Sequence, residues 1–178
     1  MPASLPGRIG VWWFLASEIM VFGGLIASFV VFRLGGTGWH AEASHLSVPL
    51  AALNTLILLS SSLTMVQAFA AAEDVNARSA RMFLWLTILC GLGFLGVKAV
   101  EYSREIHDGF VPGSGLFWSF YYAMTGLHAL HLVAGIIVNL VMLGGGRYRM
   151  AHRLEAAGLY WHFVDIVWIF LFPLVYLT

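Results

Sequence analysis

The chain has 178 residues, 60% of them hydrophobic and only 10% charged, with a formal net charge of +0 at pH 7 and a mean hydropathy of +0.85. Soluble domains carry about a quarter charged residues, so these figures place the protein in a bilayer; the charge balance offers no basic surface for nucleic acid and no acidic tail. A single cysteine, Cys90, lies within an apolar run, which excludes an internal disulfide and a CxxC metal or redox site and leaves it as a small core residue.

The apolar residues fall into runs of about 25, long enough to cross a hydrocarbon layer that needs about 20 helical residues. Barrel strands would show segments of about 10 residues in strict alternation, and no such alternation is present. Helices satisfy their own backbone groups in lipid, so the expected fold is an all-α polytopic bundle of five transmembrane helices forming one membrane domain over residues 1–178.

The first span is expected at about residues 8–34. "FLASEIMVFGGL" places Glu18 about ten residues into it, near mid-depth. The run is too long for the apolar region of a signal peptide, so it reads as a retained span. It ends at the glycine-rich "RLGGTGWHAEASH". The second span, about 48–72, has Pro49 in its first turn and carries Asn54, Thr55, Ser60, Ser61, Ser62, Thr64 and Gln67, a series suited to close helix packing. After "EDVNARSAR" the third span covers about 80–106, with Lys98 and Glu101 three apart on one face and Tyr102 beside them. "HDGFVPGSG" separates it from the fourth, about 116–143, where His128 and His131 repeat that spacing. "GGGRYRMAHR" leads to the fifth, about 154–176, where His162 and Asp165 repeat it again.

Five crossings put the ends of the bundle on opposite sides. Arg8, Arg78, Arg81, Arg147, Arg149 and Arg153 fall on one side, and only Arg33 and Arg104 on the other, with Lys98 inside the third span. Six against two places the N-terminus in the cytoplasm and the C-terminus outside. Trp39, Trp118 and Tyr176 fall near the ends of spans, where an aromatic belt is expected.

A charged residue at a helix centre costs about 2.5 to 3.5 kcal/mol on insertion scales, so Glu18, Lys98, Glu101 and Asp165 are expected to face protein or a hydrated cavity. Zinc or copper would take three or four ligands, and His128, His131, His162 and Asp165 form the one candidate set. A bis-histidine haem would need His162 with a histidine of the fourth span, because neighbours on one helix cannot reach opposite faces of a porphyrin. A histidine-to-carboxylate hydrogen-bond network tying the fourth and fifth spans together is the simpler reading, with no redox chemistry carried by this chain. A proton channel or transporter built on Glu18, Lys98 and Glu101 would call for an inverted repeat or a broken helix pair, which the sequence lacks. The small residues Gly23, Gly24 and Ala27, and Gly91, Gly93 and Gly96, are expected to be helix contacts, some with partners outside the chain.

In order along the chain, "FLASEIMVFGG", "PLAALNTLILLSSSLTM", "KAVEYS", "GLHALHLVAG" and "GLYWHFVDIVWIFLFPLVYL" resemble subunit III of the haem-copper terminal oxidases. The resemblance implies a non-catalytic integral membrane subunit of an aa3-type cytochrome c oxidase in a bacterial cytoplasmic membrane. Such a subunit supports proton uptake, helps preserve the catalytic site during turnover and holds phospholipid, with no cofactor of its own. Haem and copper are then expected in the partner chains, and subunits I and II are the expected partners. By motif position Glu18 becomes the buried carboxylate that contacts lipid or subunit I and bears on proton movement; Lys98, Glu101, Tyr102, His128, His131, His162 and Asp165 become an interior polar network. Longer members place two spans before the Ser-Glu helix, so the chain resembles the five-span form. Ala129 stands where a glycine is common between the two histidines. The donor stays open, because similar subunits serve quinol oxidases and similar short proteins accompany nitric oxide reductase.

Overall fold

The computed structural model describes residues 5–36, 38–74, 76–144 and 150–177. The elements are α1 (Leu5–Gly35), α2 (Trp39–Ala43), α3 (Val48–Glu73), α4 (Ala77–His107), α5 (Leu116–Leu143) and α6 (Met150–Tyr176), with no strand among the described residues. All but α2 are long and apolar enough to cross a membrane. The spans expected from sequence are present and extend by up to a few residues at their ends. The short α2, inside the stretch expected to be a loop, was not foreseen.

Each long helix presents one buried stripe, and its period explains the packing. On α4 the buried positions include Ala80, Leu84, Thr87, Gly91, Phe94, Lys98, Glu101 and Glu105, at alternating steps of four and three, with Ile88 buried beside Thr87; on α5 they include Tyr121, Thr125, His128, Leu132, Gly135 and Asn139. α6 repeats the pattern through Leu154, Ala157, Trp161, Val164, Trp168, Leu171 and Val175. A stripe of this period keeps one helix face against its neighbours along the whole crossing. α3 packs most extensively on α4 and then α6, while α5 packs on α6 and α4; α1 leans on α5 and α6 alone to any extent. Its Trp12, Trp13, Met20, Val31 and Leu34 point away from the bundle.

The ends are set by local chemistry. Asn76 caps α4, its side-chain oxygen accepting from the Ser79 amide at 3.2 Å. At the other end Gly109, with φ +90°, closes α4: its N–H donates to the Ile106 carbonyl, and the Phe110 N–H to that of Glu105 at 2.8 Å. This is a Schellman ending, which requires the left-handed conformation that glycine adopts at no steric cost. Phe110 then stacks on Trp118 at 4.4 Å, fixing how the chain enters α5.

Trp161 ties four helices together. It is fully buried, and its indole N–H donates to Ser61 Oγ on α3 at 3.0 Å. Glycines receive its ring on two sides: a Cβ at Gly91 of α4 or at Gly135 of α5 would stand 3.0 Å from it. Trp168 and Trp118 follow the rule that a buried indole finds an acceptor, donating to Thr55 Oγ1 at 3.1 Å and Glu42 Oε2 at 2.6 Å.

Two expectations need correction. Trp39, Trp118 and Tyr176, 9%, 1% and 3% exposed, are core residues rather than an aromatic belt, because their N–H and O–H groups face polar partners inside or their rings pack on one another. Cys90 is half-buried instead of lying in the core. Of the small residues, Gly91 packs inside the chain and Gly93 lies 4.0 Å from Ile57, while Gly23, Gly24 and Gly96 face away from the chain's own helices. Arg147 and Arg149, which carry part of the charge asymmetry, lie outside the described residues, and the Arg8 side chain is not described. Replacing Gly135 by Leu is expected to force Trp161 from its slot and cost about 1 to 3 kcal/mol, the usual penalty for overpacking; thermal unfolding in detergent would register it.

Candidate functional site

α4 brings Lys98 and Glu101 to the same face, one turn apart, and both are almost fully buried at 3% and 1% exposure. Lys98 Nζ donates to Glu101 Oε2 at 3.2 Å, to the Tyr121 hydroxyl of α5 at 3.2 Å and to the Tyr176 hydroxyl of α6 at 2.7 Å. Each hydroxyl in turn donates to Glu101 Oε1, at 2.9 and 2.6 Å. The ammonium thus uses its three protons, and both carboxylate oxygens accept. The rings of Tyr102 and Tyr121, each centred 4.9 Å from Nζ, wall the ammonium in, with Tyr176 and Trp168 slightly further. Tyr102 is held by Thr125 at 2.6 Å. A buried pair is stabilising only when the geometry satisfies both ions in this way.

Glu18 stands apart from that cage. His131 falls between the stripe positions of α5, so it projects from the flank toward α1, and its Nε2 lies 2.9 Å from Glu18 Oε2. Both side chains are largely covered, at 13% and 16% exposure. His131 Nδ1 is 2.8 Å from the Leu127 carbonyl. A carbonyl only accepts, so Nδ1 carries a proton, and the contact with Glu18 needs one more proton between the two atoms. Either the carboxyl donates to a neutral imidazole or the imidazolium donates to a carboxylate. Both forms are neutral overall. Phe22 meets the His131 ring edge-on at 5.1 Å, and Tyr160 donates to the His131 carbonyl at 2.9 Å.

The other sequence candidates are placed separately. His162 Nδ1 is 2.7 Å from Ser62 Oγ, a link between α6 and α3. His128 is enclosed by Phe94 and Trp168, with ring centroids at 5.4 and 5.1 Å. Neither of its nitrogens has a hydrogen-bond partner among the described residues, and the same holds for Asp165, Asn54 and Asn139. The expected histidine-to-carboxylate network between the fourth and fifth spans is therefore not what joins them. His131 pairs across to the first span instead, because its place on α5 faces α1 and not α6. Among the described residues no three His, Cys, Asp or Glu side chains converge on a point where a metal ion could sit. Sequence reasoning missed Tyr121 and Tyr176; the signal for Tyr121 was its place on the His128 stripe, seven residues earlier. It also missed the pairing of Glu42 with Trp118, which joins the connection after α1 to the start of α5.

Five apolar crossings with polar side chains buried at the contacts between them define a multi-pass membrane protein. A model of the family described as cytochrome c oxidase subunit III matches residues 5–178. The chain is 35% identical to cytochrome c oxidase subunit 3 of Alkalihalophilus pseudofirmus, over 98% of this chain and 89% of that protein. It is 38% identical to the subunit of the same name from Corynebacterium diphtheriae, over 94% and 86%. Quinol oxidase subunit 3 of Bacillus spizizenii is 33% identical, over 95% and 85%. The chain belongs to the cytochrome c oxidase subunit III family.

Removing one member of the Lys98–Glu101 pair strands the other in the core. Glu101→Ala is expected to cost about 3 to 5 kcal/mol, and Lys98→Met combined with Glu101→Leu far less, since the double change leaves no buried charge. Comparing melting temperatures of the two variants in one detergent checks this ordering.

Proposed function

We propose that the chain serves as the non-catalytic subunit III of a haem-copper terminal oxidase of the cytochrome c branch, seated in the bacterial cytoplasmic membrane with its N-terminus inside. The observation that carries this reading is the match to cytochrome c oxidase subunit 3 along nearly the whole chain. Subunit III works in a complex with other oxidase subunits; subunits I and II are the proposed neighbours, and they hold the haem and copper. The described arginines suit the orientation, since Arg78, Arg81 and Arg153 lie at the N-terminal face and only Arg33 and Arg104 at the other. Relatives named quinol oxidase subunit 3 support a second reading in which the donor is a quinol.

On the first reading the outward face of α1, which the chain's own helices leave open around Gly23 and Gly24, and the Glu18–His131 contact together support the catalytic subunit and its proton uptake. Solubilisation in mild detergent is expected to bring down larger chains with haem absorption and a dinuclear copper signal, and the complex is expected to oxidise reduced cytochrome c. A complex that oxidises quinol and lacks the copper signal favours the second reading; a colourless chain recovered alone from membranes with active oxidase overturns both. Glu18→Gln retains a side-chain amide that donates to His131 Nε2, so assembly is expected to survive while proton uptake slows. Uptake unchanged in both Glu18→Gln and Glu18→Ala would leave Glu18 a purely structural residue.

A further inference from the structure

The seam between α3 and α6 carries a polar pair on the lipid-facing side of the bundle. His162 Nδ1 lies 2.7 Å from Ser62 Oγ, and both residues are half-buried. Nε2 of the same ring has no hydrogen-bond partner among the described residues. His162 stands nine residues beyond Arg153 on α6, about 14 Å along the axis, and Ser62 eleven residues before Glu73 on α3, about 17 Å. The pair is therefore near the middle of a hydrocarbon layer about 30 Å thick. No water reaches that depth, and acyl chains neither donate nor accept. The surroundings are apolar and turned outward. Leu159, Ile166 and Ile169 of α6 are exposed, and with His162 they follow at steps of three, four and three. On α3 exposed Leu59 and Val66 flank Ser62 at steps of three and four. This is the spacing of a helix–helix seam, and the chain's own helices leave it uncovered, since α1 meets α6 at Tyr160 and Phe163 on a neighbouring face.

We propose that a transmembrane helix of a partner chain docks along this seam and presents a hydroxyl or carboxamide side chain to His162 Nε2. Hydrogen-bond complementarity at that depth carries the choice of occupant. A lipid tail has no polar atom to offer, whereas polar side chains on helices make such bonds inside the hydrocarbon layer and hold helices together there. A second copy of this chain is the poorer fit. A twofold axis would set Nε2 against an identical Nε2, so that donor meets donor or acceptor meets acceptor. Serine, threonine, asparagine and glutamine suit either tautomer of the ring, because each can donate and accept. The length of the seam agrees. From Leu159 to Pro173, which is also exposed, it runs for fourteen residues, about 21 Å of the crossing, a distance that a helix follows and a small molecule does not. A polar centre within an apolar rim concentrates the binding on one contact.

The contact rests on the chain working inside a membrane complex, as proposed above. The test uses the full chain in its native membrane, with the photoreactive residue p-benzoylphenylalanine placed at Ile166. Illumination is expected to join it to one partner chain, at a transmembrane residue within a turn of a serine, threonine, asparagine or glutamine. The same probe at Leu89, on the exposed face of α4, is expected not to reach that residue. Two substitutions separate docking from packing within the chain. His162→Asn puts its polar atoms where Nδ1 stood, so the link to Ser62 survives and the outward contact is lost, whereas His162→Gln reaches the place of Nε2. Retention of the crosslinked chain through detergent purification is expected to fall several-fold in His162→Asn and to stay near the unsubstituted level in His162→Gln. The reverse ordering, or equal retention in both, marks His162 as an internal link and overturns the proposal, as do crosslinks confined to lipid, to a second copy of this chain, or to the chains that Leu89 reaches. Those failures in a complex that still carries haem leave the oxidase reading standing; a chain recovered alone overturns both.

Discussion

The placement of α1 depends on one contact. This helix has few neighbours in the chain, and most of its large side chains point outward. Lipid tails offer a greasy helix nearly the same environment as another helix does, so apolar burial alone gives little reason for α1 to stay where it is. A carboxyl group in hydrocarbon does have a reason, and His131 Nε2 at 2.9 Å supplies it. Phe22 and Phe29, seven residues apart on the inner side of the helix, then follow into the aromatic packing around His131 and Trp39. The polar contact sets the rotation of α1 about its axis, and the rings fill what that rotation leaves.

The remaining four spans are bound in another way. Their stripes interlock at steady spacing, and buried polar groups such as Thr87, Lys98, Glu101, Thr125 and Asn139 stand on those stripes. Lys98 and Glu101 occupy core positions of α4 and draw a tyrosine from each of α5 and α6. At the next level Trp161 reaches Ser61 while glycines on α4 and α5 make room for its ring. The cage therefore fixes three helices at one end of the bundle and the indole fixes four nearer its middle. A helix register shift by one turn would break both at once.

Much of this was legible in the sequence. The five spans followed from run length, and the pairing of Lys98 with Glu101 from their spacing on one helix. The tyrosines of the cage did not follow, because a residue's own helix gives its face but not which neighbour stands opposite. The pairing of Glu18 with His131, 113 positions away, was hidden for the same reason. The misplaced aromatic belt has a different cause. Tryptophan and tyrosine near span ends fit either an interface or a buried hydrogen bond, and only the partners Glu42, Lys98 and Glu101 decide between them. α2 escaped notice because a five-residue helix after a glycine-rich turn carries no periodic signal. The family resemblance read from five motifs stands with the comparison over residues 5–178, and it reached further than the residue spacing could.

Because the Leu127 carbonyl claims the Nδ1 proton, the contact between Glu18 and His131 holds a single proton and no net charge in either of its forms. To anything nearby the contact is a dipole, and a dipole's field fades with distance faster than the field of an ion. Glu18, conspicuous in the sequence as a charge, is thus electrically quiet in the folded protein. A neighbouring chain would not feel this carboxyl from afar; it would have to touch the pair, or take its proton, to register that it is there.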